Sequence, residues 1–231
     1  MAREVSRREF LKASATTGAL LAAGSAMLSF ADRKAFAKEL QEVQLSKPQT
    51  ESGNPVLRLL EKRASSREFS PQPLPVAILS NVLWAAFGIN RSDGRRTAPS
   101  AHNVQDIGIY VAVSDGLYLY DPKANGLKQN LGEDIRALTG TQPFVKDVPV
   151  NLVYVSDYAK MGKSTDEEKA LYSGAHTGFI AENVYLYSIS EGLATVVRAL
   201  IDRPALAKAM KLRPDQKITL AQSVGYPRQK R

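Results

Sequence analysis

The chain has 231 residues, 44% hydrophobic and 23% charged, with no cysteine. That is enough apolar material for one compact domain or two small ones, which excludes a wholly disordered chain, and the lack of cysteine excludes disulfides, thiolate metal sites and a cysteine nucleophile. The formal net charge is +8, but residues 1–37 hold six cations against three acids and Arg228, Lys230 and Arg231 crowd the last four positions, so no basic stripe with interleaved aromatics is left for a nucleic-acid partner.

The first segment reads as an address. Ser6-Arg7-Arg8-Glu9-Phe10-Leu11-Lys12 precedes a moderately apolar run over 13–30, rich in Ala, Gly, Ser and Thr. Its low leucine density and internal polar residues fit a signal region better than a spanning helix. Ala35 and Ala37 supply the small residues a signal peptidase reads, which predicts cleavage before Lys38; an uncleaved membrane anchor is the alternative. The motif resembles the twin-arginine signals that export already folded proteins, often after a cofactor is inserted. It implies a periplasmic or otherwise exported protein with a tightly held organic cofactor. The expected organisation is a signal peptide over 1–37, a Gln/Ser/Glu-rich linker or arm over 38–53, and one domain over 54–231.

In the domain, Asn54 caps a short helix that begins at Pro55 and carries Val56, Leu59 and Leu60 on one face. Pro71, Pro73 and Pro75 interrupt the chain. A second helix from near Pro75 uses Ile78, Leu79, Val82, Leu83 and Phe87, then stops at Gly88. Residues 90–103 form a polar loop. A strand over 107–113 turns at Ser114-Asp115-Gly116 and returns over 117–120. Residues 148–155 form another strand, with Pro149 arguing against a central place for its first residues. Residues 174–197 read as one long, mostly buried helix, 205–210 as a short one and 218–225 as a strand. Hairpins mixed with helices out of strict alternation predict an α+β domain.

Three separated clusters carry candidate chemistry. Arg63-Ala64-Ser65-Ser66-Arg67-Glu68-Phe69 sets two guanidinium groups four residues apart with hydroxyls between, a pattern able to surround a phosphate, although such a basic turn is often simply solvated. Pro99-Ser100-Ala101-His102-Asn103-Val104-Gln105 combines small residues that can lie against a flat ring with two amides; the plain alternative is an ordinary loop whose Asn and Gln satisfy the backbone. Gly174, Ala175, Gly178 and Ala181 recur at about helical spacing ahead of Glu191-Gly192-Leu193-Ala194-Thr195, which permits close packing of another helix or a partner subunit. Only His102 and His176 are available as histidines, so no Ser-His-Asp arrangement or metal site is expected. No catalytic acid is assigned: His102, Tyr154, Tyr158 and Tyr172 are all explained equally well by packing or loop shape.

In this order the clusters resemble the nitroreductase family of FMN flavoproteins, over about 54–227. Residues 63–69 look like its R-x-S-x-R-x-F phosphate motif and 99–105 like its P-S-x-x-N-x-Q flavin loop. Glu182-Asn183, Gly192-Leu193-Ala194-Thr195 and Gly225-Tyr226-Pro227 are similar to its central helix, the exit from it and its last strand. Gly116-Leu117-Tyr118-Leu119-Tyr120-Asp121-Pro122 with Asn125-Gly126-Leu127 looks like the hairpin of the SagB-type branch.

The resemblance implies a mixed or antiparallel sheet packed with helices, one of them long and central. It also implies bound FMN and a homodimer with flavin at the subunit interface. Arg63, Ala64, Ser65, Arg67 and Arg228 would serve the phosphate end, with Arg67 able to reach the ribityl chain or the N1–O2 edge. Pro99, Ser100, Ala101, Asn103 and Gln105 would meet the ring or ribityl. Val197, Arg198 and Ala199 would approach through backbone groups. Asp106 stands where some relatives carry a cation, which puts charge compensation near the ring in question.

The implied activity is FMN-dependent oxidoreduction of a small organic substrate, with a quinone, a redox protein or NAD(P)H as donor. A non-catalytic flavin- or ligand-binding protein and a peptide-azoline dehydrogenase are the alternatives.

Overall fold

The computed structural model describes residues 55–229. The leader with its cleavage site, the linker over 38–53, the Asn54 cap, Lys230 and Arg231 lie outside the described residues. Four helices and six strands follow in order: α1 (Pro55–Lys62), α2 (Val76–Phe87), β1 (Ile107–Val113), β2 (Gly116–Asp121), β3 (Gly126–Leu131), β4 (Val150–Asp157), α3 (Asp166–Ser190), β5 (Ala194–Arg198), α4 (Arg203–Ala209) and β6 (Gln216–Gly225). The strands form one sheet in the order β3-β2-β1-β4-β6-β5, and every neighbouring pair is antiparallel.

The period-2 rule of strands organises the core. In β4, Leu152 and Tyr154 face a layer containing Val82, Leu83 and Phe87 of α2 and Ile180 and Val184 of α3. Val153 and Val155, one register position away, face the opposite layer with Leu206, Met210 and Ile218. A strand covered on both faces needs apolar residues at every position, which is why β4 reads as an unbroken run. Pro149 sits just before this interior strand, where its missing N–H costs no ladder bond.

One expectation is corrected and one unpredicted strand is added. The single helix over 174–197 is instead α3, starting eight residues earlier, followed by strand β5. The early start comes from a capping box: Thr165 Oγ1 accepts the Glu168 N–H at 3.2 Å while Glu168 Oε2 accepts the Thr165 N–H at 2.9 Å. Asp166, Glu167 and Glu168 add negative charge where the helix dipole favours it. The end comes at Gly192, whose φ of 68° suits glycine. The β-branched Thr195-Val196-Val197 then pairs with β6, Val196 opposite Ser223. The third strand of the hairpin, β3, carries Lys128, Gln129 and Asn130 exposed on the sheet edge, so it lacks the apolar alternation that announces a strand.

Candidate functional site

Leaving α1, the chain is laid along the edge of β5. The Ser66 N–H donates to Thr195 O at 3.0 Å, and the Arg228 N–H donates to Glu68 O at 3.1 Å. An antiparallel bridge pairs Phe69 with Pro227. The C-terminal segment therefore runs beside the 63–69 turn and brings the Arg228 backbone against Glu68. The Arg63 guanidinium lies 5.2 Å over the ring of Tyr185, and the Tyr185 hydroxyl is 2.7 Å from Ser65 Oγ while accepting the Val197 N–H at 3.0 Å. With Val197 as its donor, the tyrosine can give its own proton to Ser65 and leave the serine proton for an outside acceptor. Among the described residues, no carboxylate comes within ion-pair distance of Arg63, Arg67 or Arg228. Cations with no ion-pair partner among the described residues, on the turn that carries a hydroxyl with a proton to give and on the segment bonded to it, match the chemistry of a phosphate site.

The second cluster is built by its backbone. His102, Asn103 and Gln105 take φ of 51°, 55° and 48°, a left-handed conformation that costs non-glycine residues about 1–3 kcal/mol each. Ser100 Oγ accepts the Gln105 N–H at 3.1 Å, and Lys160 Nζ donates to Gln105 O at 3.0 Å. The Gln105 amide is committed inside the loop: Nε2 donates to Gly94 O and to Asn103 Oδ1, and Oε1 accepts from Arg96 Nε at 2.8 Å. Gln105 thus follows the plain reading, whereas Asn103 keeps its Nδ2 for a ligand. Arg96 stacks 4.3 Å over Phe87, and burial lowers its guanidinium below the ordinary value against the raising pull of Tyr120 and Asp121.

Behind this loop lies a buried polar group. The Ala101 N–H donates to His176 Nε2 at 2.8 Å, His176 Nδ1 is 2.6 Å from Asp106 Oδ1, and Ser156 Oγ donates to Asp106 Oδ2 at 2.7 Å. Asp106, His176 and Ser156 are all buried. Since Nε2 is an acceptor, the ring proton sits on Nδ1 and is donated to Asp106. Asp106 therefore points into the core and does not bear on charge near a ligand ring, contrary to the sequence expectation.

The third group is corrected in detail. The Val197 N–H is spent on Tyr185 rather than free for a ligand. Arg198 turns inward, its guanidinium donating to Thr139 O at 2.8 Å, Asn151 Oδ1 at 2.9 Å and Ser223 Oγ at 3.1 Å. Burial lowers that guanidinium from its ordinary value to about 10, and a side chain at Gly140 would collide with it. Ala199 is exposed beside it. Tyr154 donates from its buried hydroxyl to Gln222 Oε1 at 2.6 Å, and burial pushes its phenol up, which removes it as a proton donor to a ligand.

Within one chain no hydrogen bond joins the two ligand-facing clusters. They meet α3 at His176 and Tyr185, about 13 Å apart along the axis and half a turn round it. Sequence reasoning assigned no site role to Tyr185 or His176. The one available signal for Tyr185 was a hydroxyl on an otherwise buried helix face, which needs a partner.

This geometry, an antiparallel six-stranded sheet with a long helix touching both a cationic turn and a strained small-residue loop, defines an α+β protein. The nitroreductase family profile matches residues 60–226, and the chain belongs to the nitroreductase family, a family of oxidoreductases. It is similar to a protein from Ralstonia eutropha JMP134 described as a nitroreductase, with 42% identity and a TM-score of 0.73 over 80% of this chain and 89% of that one. The Escherichia coli microcin synthetase McbBCD complex, solved with truncated pro-MccB17 bound, matches with 16% identity and a TM-score of 0.66 over 90% of this chain and 84% of that one. A protein of Desulfovibrio desulfuricans described as a nitroreductase in complex with FMN matches with 23% identity and a TM-score of 0.56 over 76% and 88%. The last two show a shared fold.

Proposed function

We propose that the chain is an exported, FMN-dependent oxidoreductase acting on a small organic substrate as a homodimer. The observation that carries this reading is the cationic turn: Arg63 lies over the Tyr185 ring, Ser65 meets the Tyr185 hydroxyl, the backbone of Arg228 is bonded alongside at Glu68, and among the described residues no carboxylate is within ion-pair distance of Arg63, Arg67 or Arg228. The FMN complex of the Desulfovibrio relative supports the choice of ligand. Bound FMN would supply hydride or electron transfer through N5. The chain's own part is to neutralise the phosphate with Arg63 and Arg228, donate from Ser65, place Arg67 toward the ribityl or the N1–O2 edge, and offer Pro99, Ser100, Ala101 and Asn103 to the ring. Export rests on the twin-arginine motif. The donor would be a quinone, a redox protein or NAD(P)H.

The separation of the two clusters supports the homodimer. Around and beyond the His176 attachment point α3 exposes Leu171 (70%), Ala175, Gly178 and Phe179 (49%), an apolar face whose burial against a second copy would set one copy's cationic turn near the other's loop. The likeness to the microcin synthetase chain favours peptide-azoline oxidation as a second reading, which turnover of an azoline-containing peptide would establish.

The double variant Arg63→Ala/Arg67→Ala tests the main reading. Wild-type protein should purify yellow or take up FMN stoichiometrically, and the variant should fold yet lose the flavin on gel filtration. A wild-type protein that stays colourless with added FMN overturns it.

A further inference from the structure

We propose that His176, oriented by Asp106, is a positioning residue for the ring-facing loop: it fixes the Ala101 amide and so holds the loop over 101–105, with His102, Asn103 and Gln105 left-handed, in the shape that a flavin would meet. The inference rests on the flavin reading above for its ligand, but not for its geometry. Three observations carry it. The contact is specific in direction, because Nε2 accepts the Ala101 N–H at 2.8 Å and can do so only while Nδ1 carries the proton. Asp106 selects that tautomer by accepting the Nδ1 proton at 2.6 Å, the same orienting task a buried carboxylate performs for imidazoles elsewhere. And the loop needs an external constraint, since His102, Asn103 and Gln105 all hold positive φ without being glycine.

The constraint reaches back into the core. Asp106 is itself fixed by Ser156 of β4 at 2.7 Å, and Ser173 of α3 lies 2.8 Å from Ser156. The chain of contacts therefore ties the loop to the central strand and to the long helix at once. Tyr172 stacks on the imidazole with centroids 6.1 Å apart, closing its remaining side. Lys160, which holds the Gln105 carbonyl at 3.0 Å, braces the other end of the same loop from outside. A histidine used only to fill space would not need both ring nitrogens engaged in opposite senses.

The first measurement needs no variant. Long-range ¹⁵N–¹H correlation spectra of the flavin-free wild type should show His176 protonated at Nδ1 and bare at Nε2; the opposite tautomer overturns the proposal. The second compares FMN titrations of wild type, His176→Leu and His176→Gln, with far-ultraviolet dichroism confirming the fold. Leucine keeps the bulk but cannot accept the Ala101 N–H, so FMN should bind at least about tenfold more weakly, with an altered flavin visible spectrum and faster Ala101 amide exchange. Glutamine can present Oε1 at the position of Nε2 and should restore affinity to within about threefold. Equal affinity and spectrum in wild type and His176→Leu overturn this inference alone, as does a glutamine variant no better than leucine. A wild type that takes up no FMN overturns the flavin reading and this inference with it.

Discussion

The two ligand-facing regions hang on the same helix by different means. The 63–69 turn is exposed at Arg67 and touches α3 through one hydroxyl, that of Tyr185. Its specificity lies in side-chain charge, which needs little precision because a guanidinium can reach a phosphate from several rotamers. The 99–105 loop has the opposite design: its polar side chains are largely spent on one another, and what it offers outward is backbone shape, held by the buried Asp106–His176 pair. Charge can be supplied by a mobile surface; shape against a flat ring requires a rigid support. A change in the core should thus cripple the loop while sparing the turn, and the reverse should hold for changes at Tyr185.

The sharpest way to break this contrast is Asp106→Ala. It leaves the His176 Nδ1 proton and the Ser156 hydroxyl without their buried acceptor, and removing one member of a buried hydrogen-bonded group costs about 3–5 kcal/mol. Chemical denaturation should report a loss of that size, with the 101–105 amides the first to gain exchange. A loss under about 1 kcal/mol would mean that the loop stands without its support.

Tyr185→Phe comes next. It strips the acceptor from the Val197 N–H and the partner from Ser65, at an expected cost of about 1–2 kcal/mol. The phosphate end should suffer first: FMN affinity should fall more steeply than affinity for riboflavin, which lacks the phosphate. An equal loss for both ligands would show that Tyr185 serves the whole site rather than the turn.

How much of this was legible follows from what each element uses to announce itself. Strand β1 and helix α2 carry apolar residues at their own periods, so their limits could be read directly. The start of α3 could not, because residues 166–169 are all charged and the signal there is the Thr165–Glu168 capping box rather than hydrophobicity. The end was hidden by continuity of small and β-branched residues across Gly192, where only pairing with β6 decides for a strand. The cationic turn was visible because guanidinium spacing is a local property. The Asp106–His176 support was not, since its members are 70 positions apart and a lone aspartate and a lone histidine carry no sign of each other. The enclosure of the Arg198 side chain was hidden for the same reason, since Asn151, Thr139 and Ser223 reach it from distant positions.

The smallest expected effect concerns an ion pair outside both regions, and it serves as their control. Arg136 donates to the Asp134 carboxylate through Nε at 3.0 Å and through a second nitrogen at 2.7 Å, and its remaining nitrogen holds Val148 O at 3.0 Å. The Arg136 hydrogen bonds, reinforced by the Arg136 backbone N–H and charge, hold the Asp134 carboxyl below its ordinary 3.8. A carboxyl whose folded value is depressed gives stability that is fully present above its ordinary value and is lost as pH falls through the lowered one. The Arg136 side chain is mostly buried and the Asp134 carboxylate partly exposed to solvent, so screening keeps the contribution to about 0.5–1 kcal/mol. Thermal melts of wild type and Asp134→Asn should therefore differ by a few degrees at neutral pH and converge as pH falls through and below the lowered carboxyl range. FMN affinity at neutral pH should be unchanged in the variant. A drop in flavin affinity there would show that ordinary loss of stability is enough to disturb the site, and the contrast between a turn recognised by charge and a loop held by its core would have to be given up.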